Sequence, residues 1–261
     1  MESEDESLRL DLKTDPEAIK RQAQWAGLEP GMRVADLGCG PGKTSYYLNE
    51  LVQPNGSTVG VDISRQRVNY AKSHYQAKGL SFVQEDIRKP LDPLGAFDFI
   101  WIRFVLEHYR SNAFEIVERC IALLNPGGVA CLVDLDHNCL NHFGLPDRLE
   151  KALSGIMENL EKQSNFDPYV GRKLFSFLYD LNFVDIDVTI ESHHVIYGKL
   201  TEVDAYNWSK KVEIAAKKSG YPFEEYDNGY DGFLSEFNRF FSNPRRFTYT
   251  PIICVRGRKH S

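Results

Sequence analysis

The sequence predicts an α/β fold: a mostly parallel sheet with helices on both faces. Strand-like and helix-like segments alternate from residue 15 to residue 137. Strand segments such as "VACLV" (129–133) are apolar without alternation, as strands covered on both faces are. Strand and helix in turn require parallel neighbours joined by right-handed crossovers.

Each element has a local cause. Asp15-Pro16-Glu17 supplies an N-cap, a first-turn proline and an acid ahead of a helix running to Trp25. "MRVADL" is a short apolar strand, and "GKTSYYLNELV" reads as a helix with Tyr46, Tyr47, Leu48 and Leu51 inward. "STVGVDI" is the next strand, Arg65 to Lys78 a helix, and "LSFVQED" a third strand ending at Asp86. "AFDFIWIRF", "AFEIVERCIALL" and "GVACLVDLD" read as strand, helix and strand. Beyond residue 137 the rhythm changes. Helical patterns occupy 147–162, 168–181, 201–218 and 231–241, and two late strands, "FVDIDVTI" and "FTYTPIICV", lie about 55 residues apart. So long a connection within one domain is usually functional, a lid for example.

Composition narrows the class. The 261 residues carry a net charge of −6, which disfavours a general nucleic-acid binder. No apolar run is long enough for a membrane helix, and "MESEDESL" lacks the pattern of a signal peptide. Five cysteines without CxxC spacing fit buried thiols in a reducing cytoplasm, and no metal site is expected. Residues 1–14 read as an acidic flexible segment, either a mobile tail or one that orders over a ligand. Residues 15–261 read as one domain, with cap insertions at roughly 138–182 and 197–245.

The chemistry is concentrated in "ADLGCGPGKTS" (35–45). A phosphate loop ending in Gly42-Lys43-Thr44 needs its first glycine at position 37, which is Leu37; starting from Gly38, the loop is one residue too short to wrap a phosphate. A dinucleotide fingerprint needs GxGxxG, whereas Gly38, Gly40 and Gly42 make GxGxG. Adenosylmethionine carries no phosphate and suits the short loop. Asp36 can reach an ammonium group or orient the loop amides, and the glycines let backbone approach a ligand. Asp62 offers a bidentate acceptor to a ribose diol, and Ile63 an apolar surface to an adenine. Asp86 can accept from the adenine amino group, and the Ile87 amide can donate to a ring nitrogen. Singly, each has a plainer account: Asp62 as a helix cap, Asp86 as a turn former. Together they fall at the carboxyl ends of successive parallel strands, the edge where such sheets bind ligands.

"PGMRVADLGCGPGKTS", "VGVDIS", "FVQEDI", "FDFIWIRFVLEHY" and "LLNPGGVACLVDLD" together resemble the class I S-adenosylmethionine-dependent methyltransferases. The nearest type is the small-molecule branch that includes ubiquinone and menaquinone biosynthesis enzymes. The resemblance spans residues 30–136. It implies a Rossmann-like, seven-stranded, mostly parallel sheet with an antiparallel last strand beside the sixth, and a helical cap inserted after strand five. It also implies S-adenosyl-L-methionine as cofactor. Gly38 and Gly40 would lie against its methionine moiety, Asp62 at the ribose, and Asp86 and Ile87 at the adenine. Arg103 and Phe104 would border the sulfonium and the methionine carboxylate. Arg103 stands where a small polar residue is common, so a salt bridge to that carboxylate and a surface arginine both remain open.

The expected activity is in-line transfer of a methyl group to a small-molecule acceptor. The alternatives are a protein or RNA methyltransferase, or a non-catalytic adenosylmethionine-binding regulatory module. Glu107, His108, Asp134, Asp136 and His137 follow the fourth and fifth strands and can face the acceptor, but no general base is singled out. The aromatic residues of 197–247 form either an apolar, partly aromatic acceptor pocket or the core of the cap. Arg245, Arg246, Arg256, Arg258 and Lys259 read as a solvated strand end, or more sharply as an RNA contact. His193-His194 lies in a late strand, where one of the two must face outward.

Overall fold

The computed structural model describes residues 4–260. Its sheet is built from β1 (Arg33–Leu37), β2 (Ser57–Asp62), β3 (Leu80–Gln84), β4 (Phe97–Arg103), β5 (Leu124–Leu135), β6 (His142–Phe143), β7 (Val184–Tyr197) and β8 (Phe247–Arg258). The strand order is β3-β2-β1-β4-β5-β8, with β7 on the far side of β8. The first five strands are parallel, and β8 runs antiparallel to both β5 and β7. These seven strands are the expected sheet. Two-residue β6 adds an eighth along the β5 edge of β8.

The helices are α1 (Glu4–Lys13), α2 (Pro16–Trp25), α3 (Lys43–Leu51), α4 (Arg65–His74), α5 (Ala113–Ile121), α6 (Asp147–Gln163), α7 (Leu174–Asp180), α8 (Glu202–Ser219) and α9 (Gly229–Phe241). Asp15 caps α2 by accepting from the Glu17 amide at 3.0 Å, with Pro16 in the first turn. Ser64 caps α4, and Thr201 caps α8.

Alternate residues of each central strand enter opposite cores. Phe99, Trp101, Cys131 and Val133 join Ile19 and Ala23 of α2 and Leu48 of α3. Ile100, Ile102, Ala130 and Leu132 join Ile116 and Val117 of α5 and Leu174 and Leu178 of α7. On α3 only Leu48 of the four expected inward residues is fully buried; Tyr46, Tyr47 and Leu51 are half-buried at its margin.

A separate apolar core fills the cap. Leu149, Leu153, Ile156 and Leu160 of α6 meet Trp208 and Val212 of α8 and Phe233, Phe237 and Phe241 of α9. The range 138–182 therefore divides: α6 belongs to the cap, while α7 covers the sheet. Of the aromatic residues of 197–247, Trp208, Phe223, Tyr226, Phe233, Phe237, Phe240 and Phe241 are buried in the cap core, whereas Tyr197 and Tyr206 face outward.

The acidic segment at the start, read as flexible, is helical over Glu4–Lys13 and lies against α4. Residues 1–3 lie outside the described residues. All five cysteines are free and buried. Among the described residues, no helix is long and apolar enough to cross a membrane.

Candidate ligand site at the carboxyl ends of the strands

Because β1 to β5 are parallel, Leu37, Asp62, Gln84, Arg103 and Leu135 end along one edge. The loop from Gly38 to Gly42 opens on that edge. Its amides at Gly38 and Cys39 both donate to the Val61 carbonyl, at 2.7 and 2.9 Å. The three glycines have different reasons to be glycine. A Cβ at Gly38 would stand 2.3 Å from a Val105 methyl, and one at Gly42 would stand 2.6 Å from the Ala71 Cβ and 2.9 Å from the Phe82 ring. A Cβ at Gly40 would meet nothing within 4 Å. Gly38 and Gly42 thus let the loop pack on protein, and Gly40 faces open space.

Asp62 is 5% exposed and holds this loop. Its Oδ2 accepts from the Gly40 amide and its Oδ1 from the Ser64 amide, both at 2.9 Å. The helix cap of α4 is Ser64, whose Oγ accepts from the Arg67 amide, so capping is not the task of Asp62. Next to Asp62, Ile63 is an exposed apolar residue, 46% accessible.

Asp36 is buried and accepts from the Ser45 hydroxyl at 2.6 Å, not from a loop amide. Burial pushes its carboxyl up to about 7, against the Ser45 hydrogen bond and the Arg103 charge, which favour ionisation. Ser45 sits on α3, one turn beyond the loop, and nothing in the local pattern marked it.

β3 stops at Gln84, two residues before the expected Asp86. Asp86 instead begins a turn: its carboxylate accepts from Nε and Nη2 of Arg88, both at 2.8 Å, and from the Arg88 amide at 3.0 Å. These bonds hold the Asp86 carboxyl below its ordinary range. The Ile87 side chain is buried in the sheet core.

Arg103 ends β4 and is not a surface arginine. Its Nε donates to Gln22 Oε1 at 3.2 Å, and its guanidinium lies 4.0 Å from the centroid of the Phe104 ring. Desolvation lowers its pKa, opposed by nearby acidic groups that include Asp36, Asp134 and Glu191. Gln22 also donates to Glu191, which is paired in turn with Arg21, so α2, β4 and β7 are tied together here. Phe104 adopts a φ of 56°, a left-handed conformation rare for so bulky a residue, and its ring lies 5.5 Å from that of His193. The His194 side chain lies outside the described residues.

The acids after β4 and at or beyond the end of β5, Asp134 lying within the strand itself, serve structure first. Asp134 accepts from the amides of Leu106, Glu107 and Leu135, and burial next to Glu107 raises its carboxyl well above the usual range. Glu107 accepts from Asn138 at 2.6 Å, and Asn138 accepts from Lys211 of α8 at 2.9 Å, linking the sheet edge to the cap. Asp136 is paired with Arg172 through two bonds of 2.8 Å. His137 stands edge-on to Tyr169, and His108 is largely exposed. Among the described residues, no group of three or more His, Cys, Asp or Glu side chains is placed to hold a metal.

A family profile described as a methyltransferase domain matches residues 28–193. The chain is 25% identical over 235 residues to phosphoethanolamine N-methyltransferase 1 of Arabidopsis thaliana, covering 88% of this chain and 44% of that protein. It is 27% identical over 138 residues to the ubiquinone biosynthesis O-methyltransferase of Colwellia psychrerythraea, covering 52% and 54%. The chain thus spans about half the length of these curated relatives. Among solved structures, coclaurine N-methyltransferase superposes with a TM-score of 0.55 at 16% identity, covering 92% of this chain and 72% of that one. Phosphoethanolamine N-methyltransferase 2 of Haemonchus contortus superposes with a TM-score of 0.53 at 16% identity, covering 94% and 52%. At that identity the likeness is one of fold. With well over half of its residues matched by the profile, the chain belongs to the methyltransferase-domain family.

Proposed function

We propose that the protein is an S-adenosylmethionine-dependent methyltransferase acting on a small molecule. One observation carries the reading: the Asp62 carboxylate clasps the Gly40 amide beside the open space at Gly40, with exposed Ile63 adjacent. Each Asp62 oxygen accepts one backbone hydrogen bond and has a further lone pair, enough for a ribose diol. Ile63 supplies an apolar face for the adenine, and the Asp86–Ile87 turn borders it. Arg103, half-buried near Asp36, is the cation for the methionine carboxylate.

Adenosylmethionine supplies, when bound, a methyl group already activated by a positively charged sulfur. The protein's share is to hold the acceptor in line and exclude water. The Glu107–Asn138–Lys211 chain joins the sheet edge to the cap and positions the cover over that edge. The relatives with this domain include proteins named for N- and O-methylation of small molecules, which supports a small-molecule acceptor. The basic C-terminal residues are largely spent internally. Lys259 donates to the carbonyls of Ile121 and Leu124, Arg258 to that of Gly127, and Arg256 pairs with Asp187. An RNA-binding patch gains no support from them.

Calorimetry with adenosylmethionine, adenosylhomocysteine, NAD and ATP tests the cofactor. Binding of the first two alone is expected; tight NAD or ATP binding without them would overturn the reading. Transfer of labelled methyl into a cell extract, with mass analysis of the product, then identifies the acceptor.

A further inference from the structure

The approach to β8 nearest the cap, from Arg246 just before the strand to Thr250 within it, inverts the usual pattern of a strand. Arg246, Thr248 and Thr250 are 2%, 0% and 1% exposed, while the intervening Phe247 and Tyr249 are 43% and 38% exposed. With a period of two, the three polar side chains share one face, turned inward beneath the cap.

Arg246 lacks what Arg148 and Arg172 have. Arg148 and Arg172 are each held by two bonds to a carboxylate. The Nη1 of Arg246 reaches the Gly198 carbonyl at 3.5 Å, and its guanidinium lies 4.9 Å from the Phe241 ring centroid. Its Nε and Nη2 are buried with no hydrogen-bond partner, as is the Thr250 hydroxyl. Asp204 attracts it through space, but that carboxylate already accepts from the Thr201 hydroxyl. A guanidinium taken out of water this way is strongly unfavourable unless an anion meets it.

The surroundings add positive charge. His142 contacts the Cys139 carbonyl through Nε2 at 3.0 Å and the Thr248 hydroxyl through Nδ1 at 2.8 Å. A carbonyl only accepts, so Nε2 carries a proton. Burial, helped by the charges of Lys211 and Arg246, lowers its pKa to about 4, so the ring is neutral at pH 7 and Nδ1 accepts from the Thr248 hydroxyl. The charges of Lys211 and Arg246 thus both act on a neutral histidine that packs against Trp208 and Phe240.

The row also points at the proposed methyl site. Thr250 is the register partner of His193, whose ring lies against Phe104, the neighbour of Arg103. From Thr250 to Arg246 is four residues, about 13 Å of strand.

We propose that Arg246, with Lys211 nearby, forms a buried oxyanion site that takes a carboxylate or phosphate of the methyl acceptor. The proposal rests on the methyl-transfer reading, and the acid would lie several bonds from the methylated atom. Trp208 provides the signal. The full chain is titrated with benzoate, phenyl phosphate and neutral benzamide, reading tryptophan fluorescence and thermal stability. At least one anion is expected to bind at least tenfold more tightly than benzamide, and the preferred anion tells carboxylate from phosphate acceptors. Arg246→Met should abolish that preference and raise the melting temperature of the unliganded protein. Arg246→Lys should retain a weakened preference, which keeps the test decisive if the methionine variant misfolds. Equal binding of benzamide and both anions, or an undiminished preference in Arg246→Met, overturns the proposal. Adenosylhomocysteine is titrated in parallel: its binding without any anion preference refutes the oxyanion site alone, and its failure to bind refutes the methyl-transfer reading.

Discussion

The amide of Gly40 donates to Oδ2 of Asp62 at 2.9 Å, clasping the loop after β1 to the end of β2. The other oxygen takes the Ser64 amide, so one carboxylate shapes the loop and holds the residue that caps the next helix.

Asp62→Ala should therefore fail in two ways. The buried Ser64 amide and the part-buried Gly40 amide lose their acceptor, which costs roughly 2–4 kcal/mol of stability without ligand. Two ribose hydroxyls lose theirs as well, so adenosylhomocysteine affinity should fall about 30- to 1000-fold. Chemical denaturation and calorimetry measure the two effects separately. Unchanged affinity beside lowered stability would confine Asp62 to loop architecture.

The glycines divide the same two effects. Gly42→Ala forces a Cβ into Ala71 and Phe82 and should cost several kcal/mol of stability, typical of an overpacked core at about 1–3 kcal/mol plus left-handed strain. Gly40→Ala adds a methyl to open space at a φ of 55°, so stability should fall by only about 1–2 kcal/mol. Its cofactor affinity should drop much more. Equal affinity in Gly40→Ala and the parent would show that no ligand approaches the loop there.

Asp36 makes stability depend on pH. Its carboxyl titrates near 7 when folded, against 3.8 for the ordinary group. Between those values the folded state holds a proton the unfolded state has released, so stability falls as pH rises from about 4 to about 7. The full loss is on the order of 4 kcal/mol. Asp36→Asn keeps an acceptor for Ser45 and removes the titration. Melting curves from pH 4 to 8 should show the asparagine protein gaining on the parent as pH rises. Parallel curves would mean that Asp36 is ionised in the folded protein.

Lys43 donates to the Asp11 carbonyl at 2.8 Å, and the Tyr75 hydroxyl donates to the Asp11 carboxylate. Helix α1 is thereby fastened to both α3 and α4, alongside the loop. Hydrogen exchange with adenosylhomocysteine should show added protection in 38–42 and also in α1. Protection confined to the loop would leave α1 without part in ligand binding.

Much of this was legible in the chain. Phe99/Trp101 and Ile100/Ile102 are apolar on both faces of one strand, and that announces a sheet covered on both sides. Asp15-Pro16 and Thr201 announce where helices begin. What escaped was long-range pairing. Asp86 sits in a run that reads as strand, yet Arg88 two residues on captures its carboxylate and turns the chain. Arg103 finds Gln22, 81 residues away in sequence, and no local pattern encodes that meeting. "RFTYT" at 246–250 misleads most: hydrophobicity alone would turn its aromatics inward, whereas the structure buries the arginine and both threonines. The basic end of the chain, read as solvated, is thus interior at Arg246.

The five buried thiols have a practical consequence. Cys39 lies in the glycine loop, Cys120 on α5, Cys131 and Cys254 on adjacent central strands, and Cys139 beneath the cap. Burial raises Cys39 and Cys131 well above the ordinary thiol range and Cys120 and Cys254 to about 12, so these four stay protonated and unreactive while covered. An alkylating reagent can then reach each sulfur only when its own part of the molecule opens. Peptide-resolved alkylation rates become a clock for separate motions, Cys39 timing the loop, Cys139 the cap and Cys131 the unravelling of the sheet itself.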